Sequence, residues 1–480
     1  MPDEGRRPVL TAGLIAAIVV LGIVAAFNGL AAFAILGVPI AALLAARPKL
    51  AALSVLAGFF LNGIRADVGG LTVRPEEVGV VVGLVALGLA WMLRDRRPVR
   101  TPLAPFVVLF LLLNLVASVL NSPDPRTSII KCGAVALAIG SYFVVTNAIR
   151  DLEALSEFVR YAVVLAMVEA ALAVPALLLR LLHTPITGLV VDDPETGYWA
   201  VAGTMLEPNV YGNTIATLGI LYLGRYIVSG WRFGVAGLLG FVVLLTGLLY
   251  SNTRGAWIGF AIGLLVLLRE RRAVSQPAPG GQPALSVNAV VTVLPMVAVI
   301  AFLLYRPASG AIGGLAAKLS DLFGTGSGTG AFRIGIALLA IRDIPQHWLL
   351  GNGADSFSLR YAALAPPGSM AAWYAYAGLS FNIFLQALYD TGVVGLLNLV
   401  LLLIVSFRLI DRAIRHSVER GREHFLRSLR AALVCLLVSY QSTGATWLVF
   451  FWVMLGVTVV AARAPGRFSI SWSTPLADSS

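Results

Sequence analysis

Leu245 to Arg272 reads "LTGLLYSNTRGAWIGFAIGLLVLLRERR": two long apolar runs that meet at Ser251–Arg254, then a cluster of arginines. An apolar run of about 17–25 residues crosses a bilayer as a helix. The stretch therefore reads as two spans, with Arg254 at their shared boundary. An arginine at that depth is costly unless something holds it. The same alternation fills the chain, which has 480 residues, 58% of them hydrophobic and 12% charged, with a mean hydropathy of +0.87. Soluble proteins carry about 25% charged residues. The expected fold class is an all-α polytopic membrane protein. Fourteen runs qualify as spans, near 9–27, 29–46, 49–63, 77–93, 102–121, 128–149, 157–181, 209–228, 232–250, 255–268, 287–305, 392–410, 428–444 and 446–462.

Charge placement tests that reading. With the N-terminus cytoplasmic and sides alternating, Arg6, Arg7, Arg47, Lys49, the "RDRRPVR" run, Arg150, Arg160, Arg225 and Arg232 fall inside. So do "RERR", the seven arginines from Arg408 to Arg430, Arg463 and Arg467. This is the positive-inside pattern, and it implies cytoplasmic termini. It also accounts for the net charge of +11 without nucleic acid as a partner. Cys132 and Cys435 lie in apolar runs, so neither a disulfide nor a thiolate metal site is expected. Val9–Phe27 is too long for a signal-peptide core and reads as the first span.

The chain divides into residues 1–305 with eleven spans, an external region 306–390, and a C-terminal part 391–480 with the last spans and a cytoplasmic tail. Within the first part, 183–208 is an external segment and 269–286 a cytoplasmic linker containing "SQPAPGGQPA". The basic stretch "RLIDRAIRHSVERGREHFLRSLR" reads as an amphipathic segment on anionic headgroups. The external region is too apolar and aromatic for a free solvated loop. "GAFRIGIALLAIRDI" places Phe332, Ile336, Leu339 and Ile341 on one helical face, with Arg333 and Arg342 off it. Helices lying over an outward-facing cavity are expected.

Four stretches carry candidate chemistry. In "SNTRGAWIGF", Ser251, Asn252 and Thr253 precede Arg254 at a helix start, where amides and dipole favour an anion. Its guanidinium adds a fork matched to phosphate oxygens. "AFRIGI" supplies Arg333 as a second clamp. "RDIPQHWLLGNGADSF" joins Arg342, Asp343 and His347 to a Gly351-Asn352-Gly353 turn and Asp355. "GTMLEPNVYGN" sets Glu207, Asn209 and Tyr211 at the mouth of a span, where a carboxylate is paired or used. The plainer alternatives are a snorkelling anchor for Arg254, a solvated charge for Arg333, an arginine partner for Glu207 and a structural His347.

Taken in order with "SFNIFLQALYDTGVVGLL", these blocks resemble the O-antigen ligase and polymerase family over roughly residues 200–400. The resemblance implies a GT-C-like integral-membrane glycosyltransferase in the bacterial inner membrane, serving cell-envelope polysaccharide and lipopolysaccharide assembly. Its donor is a glycan on undecaprenyl or another polyprenyl diphosphate, and its acceptor is a glycan or a lipid-linked unit. No metal, nucleotide sugar or other cofactor is implied. Arg254 and Arg333 match the arginines that bind the diphosphate, and Arg342, Asn209, Tyr211 and Asn382 join as further substrate contacts. Ligases of the family carry a His before the Asn of the last block, where this chain has Phe381. Glu207 is then the first choice for the catalytic base, with Asp355 and His347 behind it. Two other readings stand beside this one: a solute transporter, and an inactive family member. The sequence shows no pair of matching halves, no interrupted short helices in corresponding positions and no buried acidic pair for ion coupling, as a carrier would use.

Overall fold

The structure is a computed structural model and describes residues 47–68, 71–94, 97–181, 189–192, 199–205, 207–228, 235–274, 329–362, 382–443 and 446–464. The expected spans at 9–27, 29–46 and 287–305, and Phe381, lie outside these residues. Elsewhere each apolar run falls on a helix. These are α1 (Pro48–Phe60), α2 (Pro75–Arg94), α3 (Ala104–Leu120), α4 (Pro125–Ala148), α5 (Leu152–Leu181), α6 (Pro208–Ile227), α7 (Val235–Tyr250) and α8 (Arg254–Val274). After them come α9 (Thr329–Asp343), a 3-10 turn (Ile344–His347), α10 (Ser356–Ala362), α11 (Ile383–Arg415), α12 (Arg420–Ser439) and α13 (Val449–Arg463). Proline opens α1, α2, α4 and α6, where its fixed φ suits a helix start and its missing N–H costs nothing.

The described chain is mostly helical, as expected of an all-α class. Among the described residues two short antiparallel hairpins lie between helices: β1 (Ala66–Val68) with β2 (Leu71–Val73), and β3 (Val190–Asp192) with β4 (Trp199–Val201). Among the described residues, three helices are long and apolar enough to cross a membrane: Pro75–Leu93 of α2, α4 and α11. Four shorter apolar helices, α1, α3, α7 and α13, accompany them. On α3, Val107, Phe110 and Ala117 are buried, while Leu112, Val116 and Val119 are exposed. An outward face of that kind suits lipid rather than water. Helix α13 is buried on every side, from Val449 to Ala461, and forms the middle of the bundle with α6.

Helix α8 packs on α12 through Gly255, Gly259 and Gly263, spaced four apart on one face. A Cβ at Gly259 would lie 2.1 Å from Ser439 Oγ, and one at Gly263 would lie 2.8 Å from Cys435 Cβ. Side chains there would push the two helices apart.

One end of the bundle is closed by arginines. Arg422 Nη2 donates to Ala461 O at 3.1 Å and to Ala462 O at 2.9 Å, and Arg463 Nη2 donates to Thr146 O at 2.5 Å. These carbonyls end α13 and α4, where the helix has no N–H left to offer them. Beside them, Arg427 meets Glu270 at 2.7 Å and Glu423 at 2.8 Å, and Arg430 meets Glu270 and, at 2.5 Å, Asp411.

Helix α11 is longer than the expected span 392–410 and starts inside the region read as external loop. It is broken at Gly392, whose φ of 66 and ψ of −169 suit glycine alone. The segment between the 3-10 turn and α10 mends the break. Asn352 N and Gly353 N donate to Tyr389 O and Asp390 O at 2.8 and 2.9 Å, and Val393 N and Val394 N donate to Trp348 O and Leu349 O at 2.9 and 3.3 Å. The same segment is fastened to α3 and α4: Ala354 N donates to Ser118 Oγ, Ser128 Oγ to Ala354 O, and Asn121 Nδ2 to Gly351 O. Region 329–362 is thus helical and tied to the bundle.

Candidate functional site

The other end of the bundle gathers four chain segments. Thr253 Oγ1 donates to Pro208 O at 3.0 Å, which sets the first residue of α8, Arg254, beside the start of α6. Gly63 N donates to Thr204 O at 3.0 Å, which brings the β1–β2 hairpin and the Arg74 that follows it to the turn leading into Glu207. The fourth segment is α9, which carries Arg333 one turn ahead of the buried Ile336 and two turns ahead of the buried Ala340. The expectation that Arg333 stands off the apolar face is therefore corrected. It shares a stripe with Ile336 and Ala340, while Leu339 and Ile341 point out.

Electrostatics show how close these groups are. Glu207 is the N-cap residue of α6 and makes no side-chain capping bond. Burial pushes its carboxyl above the ordinary value, against the opposing pull of the Arg333 and Arg74 charges. Burial pushes Arg333 down, the Arg254 charge adds to that, and Glu207 draws it back. The charges are linked in series: Arg254 acts on Arg333, and Arg333 and Arg74 act on Glu207. Arg74 also lies over the Trp447 ring, 5.4 Å from its centroid, and 3.8 Å from Glu76. Asn62 Nδ2 in turn donates to Glu76 Oε2 at 3.2 Å. Such a cluster suits an anion with several oxygens: guanidinium groups can grip one as forks, and the α6 and α8 N-termini add their dipoles.

The remaining candidate residues separate from this cluster. Tyr211 is fully buried, and its hydroxyl faces Glu169 O at 3.4 Å, so it is a packing residue rather than a substrate contact. Asn382 caps α11, with Oδ1 accepting from Phe384 N and Leu385 N at 3.0 and 2.9 Å, and Nδ2 donating to Gln441 Oε1. Asn209 sits in the first turn of α6, partly exposed next to Glu207. Arg342 is exposed in the last turn of α9. His347 gives its carbonyl to Gly351 N at 2.7 Å. The Gly351-Asn352-Gly353 turn spends all three N–H groups on the protein, so it cradles no phosphate.

Asp355 belongs to a second cluster. Its φ of 56 is left-handed, Lys131 Nζ lies 3.0 Å from Oδ2, and Ser358 Oγ donates to Oδ1 at 2.6 Å. Its charge acts on Asp390, which is 4% exposed and hydrogen-bonded to Gln386 and to the Asp355 N–H. The structure shows one buried acid, Asp390, next to the partly exposed Asp355, and one helix break, at Gly392. Arg74, Glu169 and Asp390 were not singled out. The signals were present: an outward arginine before Pro75-Glu76-Glu77, and single acids inside or beside apolar runs. No family model matches the chain and no curated protein matches it, so the reading of the site rests on the site's own residues.

Proposed function

We propose that the chain transfers a glycan from a polyprenyl diphosphate to an acceptor glycan at the outer face of the bacterial inner membrane, as an O-antigen polymerase- or ligase-like glycosyltransferase. The observation that carries this is the meeting of Arg254, Arg333 and Arg74 around Glu207, at the bundle end opposite the arginine-capped one. The sequence blocks that resemble the O-antigen ligase and polymerase family agree with it. The expected fourteen-span topology with cytoplasmic termini is consistent with it, since under that topology the two ends lie on opposite sides of the membrane. The bond between the anomeric carbon and the diphosphate breaks, and the arginines meet the charge that develops on the leaving group. The acceptor hydroxyl attacks from the opposite face and forms the new glycosidic bond. Its proton passes to Glu207, and a carboxylate raised above its ordinary value is a stronger base than a free one.

The test is transfer from a purified polyprenyl-diphosphate glycan, read by product length. A ladder identifies a polymerase and a single addition a ligase. Arg254→Lys and Arg333→Lys each lower transfer by about tenfold or more, because an ammonium does not reproduce a bidentate guanidinium contact. Glu207→Gln lowers turnover by about tenfold or more while donor competition survives. Normal transfer in all three variants sinks the proposal. A second reading, a carrier, is favoured by Asp390 beside the break in α11. Solute uptake lost in Asp390→Asn, with no transfer in the wild type, decides for it.

A further inference from the structure

Glu169 stands in the middle of α5, 5% exposed among apolar residues. Its carboxyl meets one residue twice. Thr204 N donates to Oε2 at 3.0 Å, and the Thr204 hydroxyl is hydrogen-bonded to Oε1. The same hydroxyl lies 2.7 Å from Phe60 O, the last carbonyl of α1. A hydroxyl has a single hydrogen, and a backbone carbonyl accepts only. Phe60 O and Glu169 Oε1 both lie within reach of that one hydrogen; a proton on Oε1 relieves the competition, because it donates to the hydroxyl oxygen and leaves the hydroxyl hydrogen to Phe60. A neutral carboxyl also avoids placing an ion inside an apolar helix. Gly203, with φ of 61, is pressed against this group, and a Cβ there would lie 2.2 Å from Oε2. Thr204 O closes the joint by accepting from Gly63 N.

We propose that Glu169 is a proton-bearing positioning residue that locks Thr204 to α1 and α5. The lock sets Glu207, three residues further on, against the hairpin that carries Arg74. Its consequence for transfer rests on the function proposed above; the lock itself does not.

The full-length protein in detergent, as wild type, Glu169→Gln, Glu169→Leu and Thr204→Val, separates the two. Amide hydrogen exchange over residues 199–211 reads the lock, and competition by farnesyl diphosphate with transfer rate reads the site. Gln keeps the geometry, since Nε2 donates where the acid proton did and Oε1 still accepts from Thr204 N. Its exchange and transfer stay at the wild-type level. Leu and Val lose exchange protection in this segment and slow transfer by up to about 10²-fold, the scale of a misplaced catalytic group. If Leu does not fold, Val supplies the same comparison. A Gln variant that behaves like Leu shows a charged carboxylate and overturns the proposal. So does wild-type exchange in both Leu and Val. A wild type that transfers nothing overturns the proposed function, and the exchange arm still decides the role of Glu169.

Discussion

At the Arg430 end of the bundle, Arg427 and Arg430 face three carboxylates, Glu270, Glu423 and Asp411, while Arg422 and Arg463 are engaged by helix-terminal carbonyls. At the Glu207 end, among the described residues, three arginines, Arg74, Arg254 and Arg333, stand with Glu207, Glu76 and Glu77, and Arg254 and Arg333 repel each other. The residue type is the same, and what meets it differs. At the first end carboxylates and helix-terminal carbonyls together receive the four arginines. At the second, among the described residues, Arg254 and Arg333 repel each other beside Glu207, an arrangement that an arriving anion would relieve. Arginine in a membrane protein is therefore read from the count of oxygens around it, more than from its depth.

The largest effect expected tests the Arg430 end. Glu270→Ala removes the acid that two arginines share, and Glu270 is 6% exposed. Breaking a buried pair by removing one partner costs about 3–5 kcal/mol. The loss appears as a lower unfolding temperature in detergent, with farnesyl diphosphate competition intact. Unchanged stability would break the contrast between the two ends.

A smaller effect tests a residue that sequence placed at the site and structure places at a helix cap. Asn382→Ala costs about 1 kcal/mol of stability through the lost N-cap of α11. Donor competition stays as in the wild type. A loss of donor binding without a loss of stability would return Asn382 to the anion site.

The smallest effect is a pH dependence. The Glu207 carboxyl is raised by burial, so the folded chain binds a proton there that the unfolded chain has already released. The stability this gives is fully present below the ordinary carboxylate value and is lost as pH rises through the raised one. Unfolding temperatures of wild type and Glu207→Gln, compared across that window, diverge as pH increases, with the wild type falling. Parallel curves would mean that the arginines have cancelled the effect of burial.

Hydrophobic run length made the helices legible, because a span must be apolar along its whole length whatever it packs against. Residue type made Glu207, Arg254 and Arg333 legible, because each is expensive where it stands. Their meeting was not legible, since it depends on a hairpin and two helix starts brought together by bonds such as Thr253 to Pro208. Tyr211 and Asn382 misled for a local reason: an aromatic ring and an amide at a helix mouth serve packing and capping as readily as substrate. The glycines of α8 went unread as a seam because their spacing has meaning only once α12 lies across them.

The mended break in α11 has a consequence for how the chain assembles. The mending segment, 348–354, draws its partners from two directions. Ser118, Asn121 and Ser128 precede it by more than 200 residues, and Tyr389–Val394 follow it. During synthesis the first half of its mould is finished long before the segment emerges, and the second half does not yet exist. Contacts between residues far apart in sequence form slowly, because the intervening chain must be closed into a loop first. The segment is therefore expected to dock fully only once Gly392 delivers the carbonyls of Tyr389 and Asp390. Closure of the Gly392 joint is accordingly expected late in folding, and the final placement of α9, with Arg333 on it, with that step.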